Sequence, residues 1–278
     1  MTSSNAAAGI RADQIVDMLE RLYNHNDAGL LRSLAAPDLR HYSSVIGDGV
    51  DTWAAYASSF AGVGPLVAIH RTVCEGNRIG VHAHYRWNTD RVIDDGPGVA
   101  VAHIFTVDAG QIVEAVELIQ EVRPQTASGL DMFSQVRPSV GSQDMERNRQ
   151  TVQRVLTEFL PGNTALRDTL LSDYTQHNPV IPDGSVGIAG FIQSIGGSPN
   201  DAQWVIAEGD LAWSYTRYHA NPRIGTPPFV AVDIWRFDEA GKVTEHWDIL
   251  EAEFTSPDGH TFDGSSMGLR WVDAAMTL

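Results

Sequence analysis

The chain has 278 residues and a formal net charge of −16, long enough for two domains that each bury a core. That charge argues against nucleic acid and anionic membrane surfaces as partners, because phosphate binding rests on clustered Lys and Arg. A single lysine, Lys242, and a single cysteine, Cys74, exclude an internal disulfide and a Cys-rich metal site and argue against Schiff-base chemistry. There is no run of about 18 apolar residues, and the opening MTSSNAAAGIRAD lacks a basic stretch followed by an apolar one, so a soluble cytoplasmic protein is expected.

Residues 1–9 are small and polar and are expected to be disordered. Ile15, Val16, Leu19, Leu22 and Tyr23 then recur at helical spacing. A second short helix is expected over 28–34, ended by Pro37, and a third over 53–60. From Val67 the period changes to two. Strands are expected at 67–73, 78–87, 99–107 and 111–120, the last two joined by the turn Asp108-Ala109-Gly110. Three helices followed by hairpin-linked strands is an α+β order. Residues 134–144, SQVRPSVGSQD, show no periodicity and read as a linker between domains at 10–136 and 144–278. The plan then repeats, with helices at 146–160, 166–171 and 186–195 and strands at 203–207, 210–219, 229–237 and 242–252. The tail 263–278 has no counterpart in the first half.

The repetition is visible in the letters themselves. DYTQHNPVIPDG, from Asp173, aligns with DLRHYSSVIGDG, from Asp38, pairing Val45 with Val180, Ile46 with Ile181, Asp48 with Asp183 and Gly49 with Gly184. His177, Asn178 and Pro179 fall opposite Tyr42, Ser43 and Ser44. Further on, Ile104 pairs with Ile234, Phe105 with Trp235, Glu114 with Glu245 and Glu117 with Asp248. A repeat this long reads as a duplicated domain rather than a solenoid. Pro179 and Pro182 stiffen the segment carrying His177 and Asn178, a suitable mount for groups that must hold one geometry.

HNPVIPDG at 177–184, AVDIWRF at 231–237 and EHWDILE at 245–251 together resemble the SnoaL-like polyketide cyclase family of the nuclear transport factor two-like superfamily. The match covers nearly all of the second copy and, more loosely, 13–133 of the first. The resemblance implies two tandem cones, each a curved antiparallel sheet wrapped against about three helices around an apolar pocket. It also implies no metal or organic cofactor and dimers formed through the sheet. A duplicated chain is then expected to make that contact within one polypeptide as a pseudo-dimer, with a further homodimer beyond it. Ring-closing members work with a histidine and a carboxylate, which map to Asp233 and Asp248 in the second copy and to His103 and Glu117 in the first.

Read as residues, His246 and Asp248 lie two apart on one strand and share a face, with Asp233 across the turn and His177 on the stiff segment. Two histidines and two carboxylates in an apolar pocket can shift pKa values in opposite directions, so that one group donates a proton and another accepts it. Asp248, His246, His177, Asp233, His103 and Glu117 are therefore the catalytic candidates. Asn178, Tyr215, Arg217, Trp213, His82, His84 and Tyr42 are candidates for binding substrate. His82 and His84 share a strand face but read as pocket-lining imidazoles rather than metal ligands, since the second copy has Tyr215 and Arg217 there. Trp213, Trp235, Trp247 and Phe237 also suit a core. The expected function is cofactor-independent acid–base chemistry on a small apolar carbonyl-bearing substrate, a polyketide-type cyclisation foremost. An isomerase, a dehydratase, an epoxide hydrolase or a non-catalytic binding module are the alternatives.

Overall fold

The computed structural model describes residues 9–87, 97–141, 144–259 and 261–262; the expected tail at 263–278 and most of the expected disordered start lie outside them. Two compact units form. One ends at Glu117 and regains the chain from Thr255; the other runs from Leu118 to Phe254 and regains it from Thr261.

The first unit opens with α1 (Ala12–Asn24) and α2 (Gly29–Leu34), whose apolar stripe of Ile15, Met18, Leu19 and Leu22 is buried. Then follow β1 (Ala35–Tyr42), α3 (Val50–Ser58), β2 (Leu66–Glu75), β3 (Arg78–Arg86), β4 (Val99–Asp108) and β5 (Gln111–Glu121). The second unit has α4 (Met145–Arg154), running on as a π-helical turn over Val155–Phe159, then α5 (Arg167–Leu170) and β6 (Leu171–Gln176). After these come α6 (Gly184–Ile195), β7 (Asn200–Glu208), β8 (Leu211–Tyr218), β9 (Phe229–Phe237) and β10 (Val243–Ala252).

Each unit carries one five-stranded sheet, in the orders β1-β5-β4-β3-β2 and β6-β10-β9-β8-β7. The expected antiparallel strands are present in both. A fifth strand, β1 or β6, joins each sheet in parallel, so the sheets are mixed. Alternation had not marked these strands, because each is irregular. In β6 the register slips between the Leu171 and Thr175 pairings, and Asp173 takes φ 46°, a left-handed conformation.

The duplication extends to register. His41 pairs with Ala115 as Gln176 pairs with His246, and Ile104 sits opposite Gly80 as Ile234 sits opposite Trp213. The aligned aspartates do the same work: Asp48 Oδ1 accepts from the His41 amide and Asp183 Oδ1 from the Gln176 amide, each at 2.8 Å. The glycine after each aspartate, Gly49 or Gly184, takes a positive φ (97° and 77°) that a side chain would strain, which is why both copies spell DG.

The segment expected as a linker is bonded to the second unit's sheet where it is described. Val136 N–H donates to Glu245 Oε1 at 2.7 Å and Val140 N–H to Asp210 Oδ2 at 3.0 Å. Arg236, buried between them, donates to Asp210 at 2.7 Å and lies 3.6 Å from Glu245. Among the described residues, no helix is long and apolar enough to cross a membrane.

Candidate active site

In the second unit a cavity of about 360 Å³ opens between the sheet and the helices, walled mostly by apolar side chains such as Phe159, Ile188, Ile192 and Trp235. This lies in the size range of small-molecule sites. Tyr174, Asn178, Asp233, His246 and Asp248 are among its polar lining residues.

Strand pairing explains the convergence. Asp248 of β10 is directly opposite Asp233 of β9, and His246 is opposite Trp235, so all four share one sheet face. Ser214 of β8 is opposite Asp233 and shares that face too. Beyond β6, the HNP turn lays Asn178 over the middle of β10. Its amide nitrogen donates to both oxygens of Asp248, at 3.0 and 2.8 Å. Its own carbonyl is pinned by the Val180 and Ile181 amides at 2.8 and 3.1 Å, so the proline-stiffened turn does hold a rigid group.

His246 lies between the two carboxylates, with Nε2 3.4 Å from Asp233 Oδ1 and Nδ1 4.0 Å from Asp248 Oδ2. Nδ1 is 3.0 Å from Gln176 Oε1, which also accepts from the Asn178 backbone N–H at 3.0 Å. A backbone N–H can only donate, so Gln176 presents oxygen, and Nδ1 of His246 must carry a hydrogen. Tyr218 Oη donates to Asp233 Oδ2 at 3.1 Å. Burial pushes the Asp248 carboxyl up from 3.8 to about 6; His246 opposes the rise, Asp233 adds to it, and Asn178 and His177 oppose it. The donor atoms of Asp233, His246 and Asp248 lie within 4.8 Å of one another, and among the described residues they are the group suited by donor type to a divalent cation.

Other expected residues stand elsewhere. His177 is one position out of phase with Asn178 and is absent from the cavity wall. It is buried with Nε2 2.9 Å from Glu245 Oε1 and Nδ1 2.7 Å from the Asp131 carbonyl, stacked on Trp247 at 5.0 Å. Trp213, Tyr215 and Arg217 alternate with Ser214 and Thr216 on β8 and so face away from Asp233. Tyr215 stacks on Trp204 at 5.7 Å, and Arg217 pairs with Glu253 at 2.6 Å. Trp235, expected in the core, is buried there and also lines the cavity.

The first unit separates its candidates in the same way. Val81 is opposite His103, so His103 shares a face with Val81, while His82 and His84 point to the other face. His82 Nδ1 lies 2.7 Å from Arg71, and His84 Nε2 lies 2.7 Å from the Pro97 carbonyl. Tyr42 pairs with Val116 at the end of β1 and is half-buried. His103 and Glu117 do meet, at 3.7 Å, and Ser43 repeats the part of Asn178: its hydroxyl donates to Glu117 at 2.8 Å and accepts from the Val45 and Ile46 amides. Burial drops His103 to about 3, so it faces Glu117 as a neutral ring. Aromatic rings crowd this interior. Trp53, at the position of Ile188, lies 6.2 Å from His103 and Phe105 and 4.5 Å from His41.

Sequence reasoning missed Tyr174, Gln176 and Tyr218. The first two do carry a signal: with Asn178 they sit at every second position of a segment entering the HNP turn.

No protein-family model and no curated protein match the sequence. Solved structures do. TsrD of Streptomyces laurentii is 16% identical, with a TM-score of 0.34 over 39% of this chain and 87% of its own. A candidate SnoaL-like polyketide cyclase of Jannaschia is 20% identical, with a TM-score of 0.30 over 39% and 86%. A steroid delta-isomerase of Pseudomonas aeruginosa is 16% identical, with a TM-score of 0.31 over 39% and 78%. Each thus spans about the length of one unit.

Proposed function

We propose that the second unit is a cofactor-independent acid–base enzyme for a small apolar substrate bearing a carbonyl group, with polyketide-type ring closure the foremost reaction. The observation that carries this reading is Asp248, a carboxyl buried in an apolar cavity, raised to about 6 and held by Asn178 beside His246. At pH 7 such a group is mostly ionised yet poorly solvated, which suits a general base. Asp248 takes the proton alpha to the carbonyl, and the C–H electron pair moves to the oxygen as an enolate. The enolate then attacks an electrophilic carbon or is reprotonated, and the proton returns from Asp248.

That first step is testable without the natural substrate. 2-Tetralone incubated with the protein in D2O should exchange its alpha protons faster than in buffer, as read by NMR. The rate should rise with pH through about 6, following the ionised fraction of Asp248, and then level. Chelation with EDTA should leave it unchanged; a loss restored by one added divalent cation would move the chemistry to a metal held by Asp233, His246 and Asp248. Tight binding of tetralone and of aromatic polyketides with neither exchange nor product would favour a binding module.

A second reading draws on His246 lying within reach of both carboxylates. One carboxylate can take a proton from water while the His246–Asp233 pair delivers one, the requirement for opening an epoxide. Incorporation of label from H₂¹⁸O into a diol formed from styrene oxide, without tetralone exchange, would select it.

A further inference from the structure

We infer that the cavity of the second unit takes a ligand carrying a protonated amine, with Asp233 as the partner of the ammonium group. The inference rests on the acid–base reading of the same cavity and narrows its substrate class to apolar amino ketones.

The assignment comes from counting charge along the cavity wall. Asp233, Asp248 and Glu251 bring carboxylates to the lining, and among the described residues no lysine or arginine lines it. Asp233 and Asp248 stand directly opposite each other on β9 and β10 and are buried, at 3% and 6% exposure. His246 lies between them, with Nε2 3.4 Å from Asp233 and Nδ1 4.0 Å from Asp248. As an imidazolium it supplies one positive charge for two carboxylates, and as a neutral ring it supplies none. His219, the other lining histidine, is partly exposed and pairs with Asp201 at 2.8 Å. The polar end of the cavity is thus short of positive charge, and a buried carboxylate without a compensating cation is costly.

The walls suit an organic cation. Phe159, Tyr174, Tyr218, Phe229 and Trp235 line the cavity. Tyr218 reaches Asp233 through its hydroxyl at 3.1 Å, and its ring stacks on Phe229 at 4.9 Å with 13° between planes. Trp235 shares the sheet face of Asp233 two residues along, its indole N–H tied to Ser214 at 3.1 Å. Aromatic faces attract alkylammonium groups, most strongly where water is excluded. Burial first, and then the carboxylate charges, push the phenols of Tyr174 and Tyr218 well above their usual value, so both rings stay neutral. The first unit provides the contrast: its aligned pair is His103 and Glu117, a single carboxylate beside an imidazole that burial drops to about 3. With Asp248 as the base, an ammonium held at Asp233 places positive charge near the carbon acid and eases removal of its alpha hydrogen.

2-Aminotetralin, a cation at neutral pH, and tetralin, its uncharged skeleton, test the assignment apart from turnover. Their dissociation constants would be measured in about 0.5 M NaCl, which screens the general attraction of a cation to a strongly acidic chain. The wild type should bind the amine about 10- to 100-fold more tightly than tetralin. Asp233→Asn should remove most of that preference. Asp248→Asn, which takes away one of the two carboxylates and is expected to be the more stable protein, should lower it too. Tetralin should bind all three proteins alike. In the tetralone assay the amine should raise KM and leave kcat unchanged. Equal binding of amine and tetralin by the wild type, or a preference kept in full by Asp233→Asn, would overturn the assignment. Micromolar binding of Zn²⁺ with no amine preference would overturn it as well, giving the carboxylates to a metal ion. An absence of tetralone exchange with the amine preference intact would instead overturn the acid–base reading and leave the amine site standing.

Discussion

Asp248→Asn is expected to slow alpha-proton exchange by about 10²- to 10⁴-fold, the usual contribution of a general base, while making the second unit more stable at pH 8. Both effects have one origin. The folded carboxyl titrates near 6 against a reference of 3.8, so between those values the native state binds a proton that the unfolded chain does not. Stability therefore falls as pH rises through that window and is lowest above it. Asparagine keeps the shape of the protonated acid and cannot ionise, so at pH 8 the variant should gain about 3 kcal/mol in urea unfolding. The gain should vanish below about pH 4. An Asp248→Asn protein equally stable at pH 5 and pH 8 relative to wild type would show that burial does not act on this carboxyl.

The second large effect concerns the scaffold behind the site. Arg236 is buried at 3% exposure and is bonded to Asp210, which is 5% exposed, with Glu245, fully buried, beside it. Arg236 also donates to Gln135 at 3.1 Å. Arg236→Met should destabilise the second unit by about 3–5 kcal/mol, since it removes the buried cation from beside two buried carboxylates. Replacing Asp210, Arg236 and Glu245 together by apolar residues should cost less than the single change, because no charge is left unpaired. Equilibrium unfolding in urea compares the two, and a single-variant loss below about 1 kcal/mol would show that the pair is not as desolvated as its geometry indicates.

Much of this molecule could be read in its letters, for physical reasons that differ by element. The duplication was legible because aligned residues do the same structural work in both copies, as Asp48 and Asp183 do in capping a strand amide. Asp233, His246 and Asp248 were legible because antiparallel pairing and a period of two place them on one face. The edge strands β1 and β6 were not, since slipped register and the left-handed Asp173 break alternation. His177 drew attention through its motif, but the residue beside it reaches the cavity, because consecutive side chains here point to opposite sides. Trp213, Tyr215 and Arg217 failed for the same reason: their phase is set by Ser214 facing Asp233, a pairing no single strand reveals. Ser43 shows the converse. The first copy has lost the HNP letters yet retains the hydrogen bond to its carboxylate.

The central claim is that the second unit carries the chemistry and that Asp248 is its base. It is tested most directly by measuring 2-tetralone exchange for Asp248→Asn and Glu117→Gln side by side. The account predicts a loss of at least about 10²-fold for Asp248→Asn and a rate close to wild type for Glu117→Gln, whose carboxylate faces a neutral His103 among packed aromatic rings. Loss of exchange in Glu117→Gln with full exchange in Asp248→Asn would contradict it and place the working pair at His103 and Glu117.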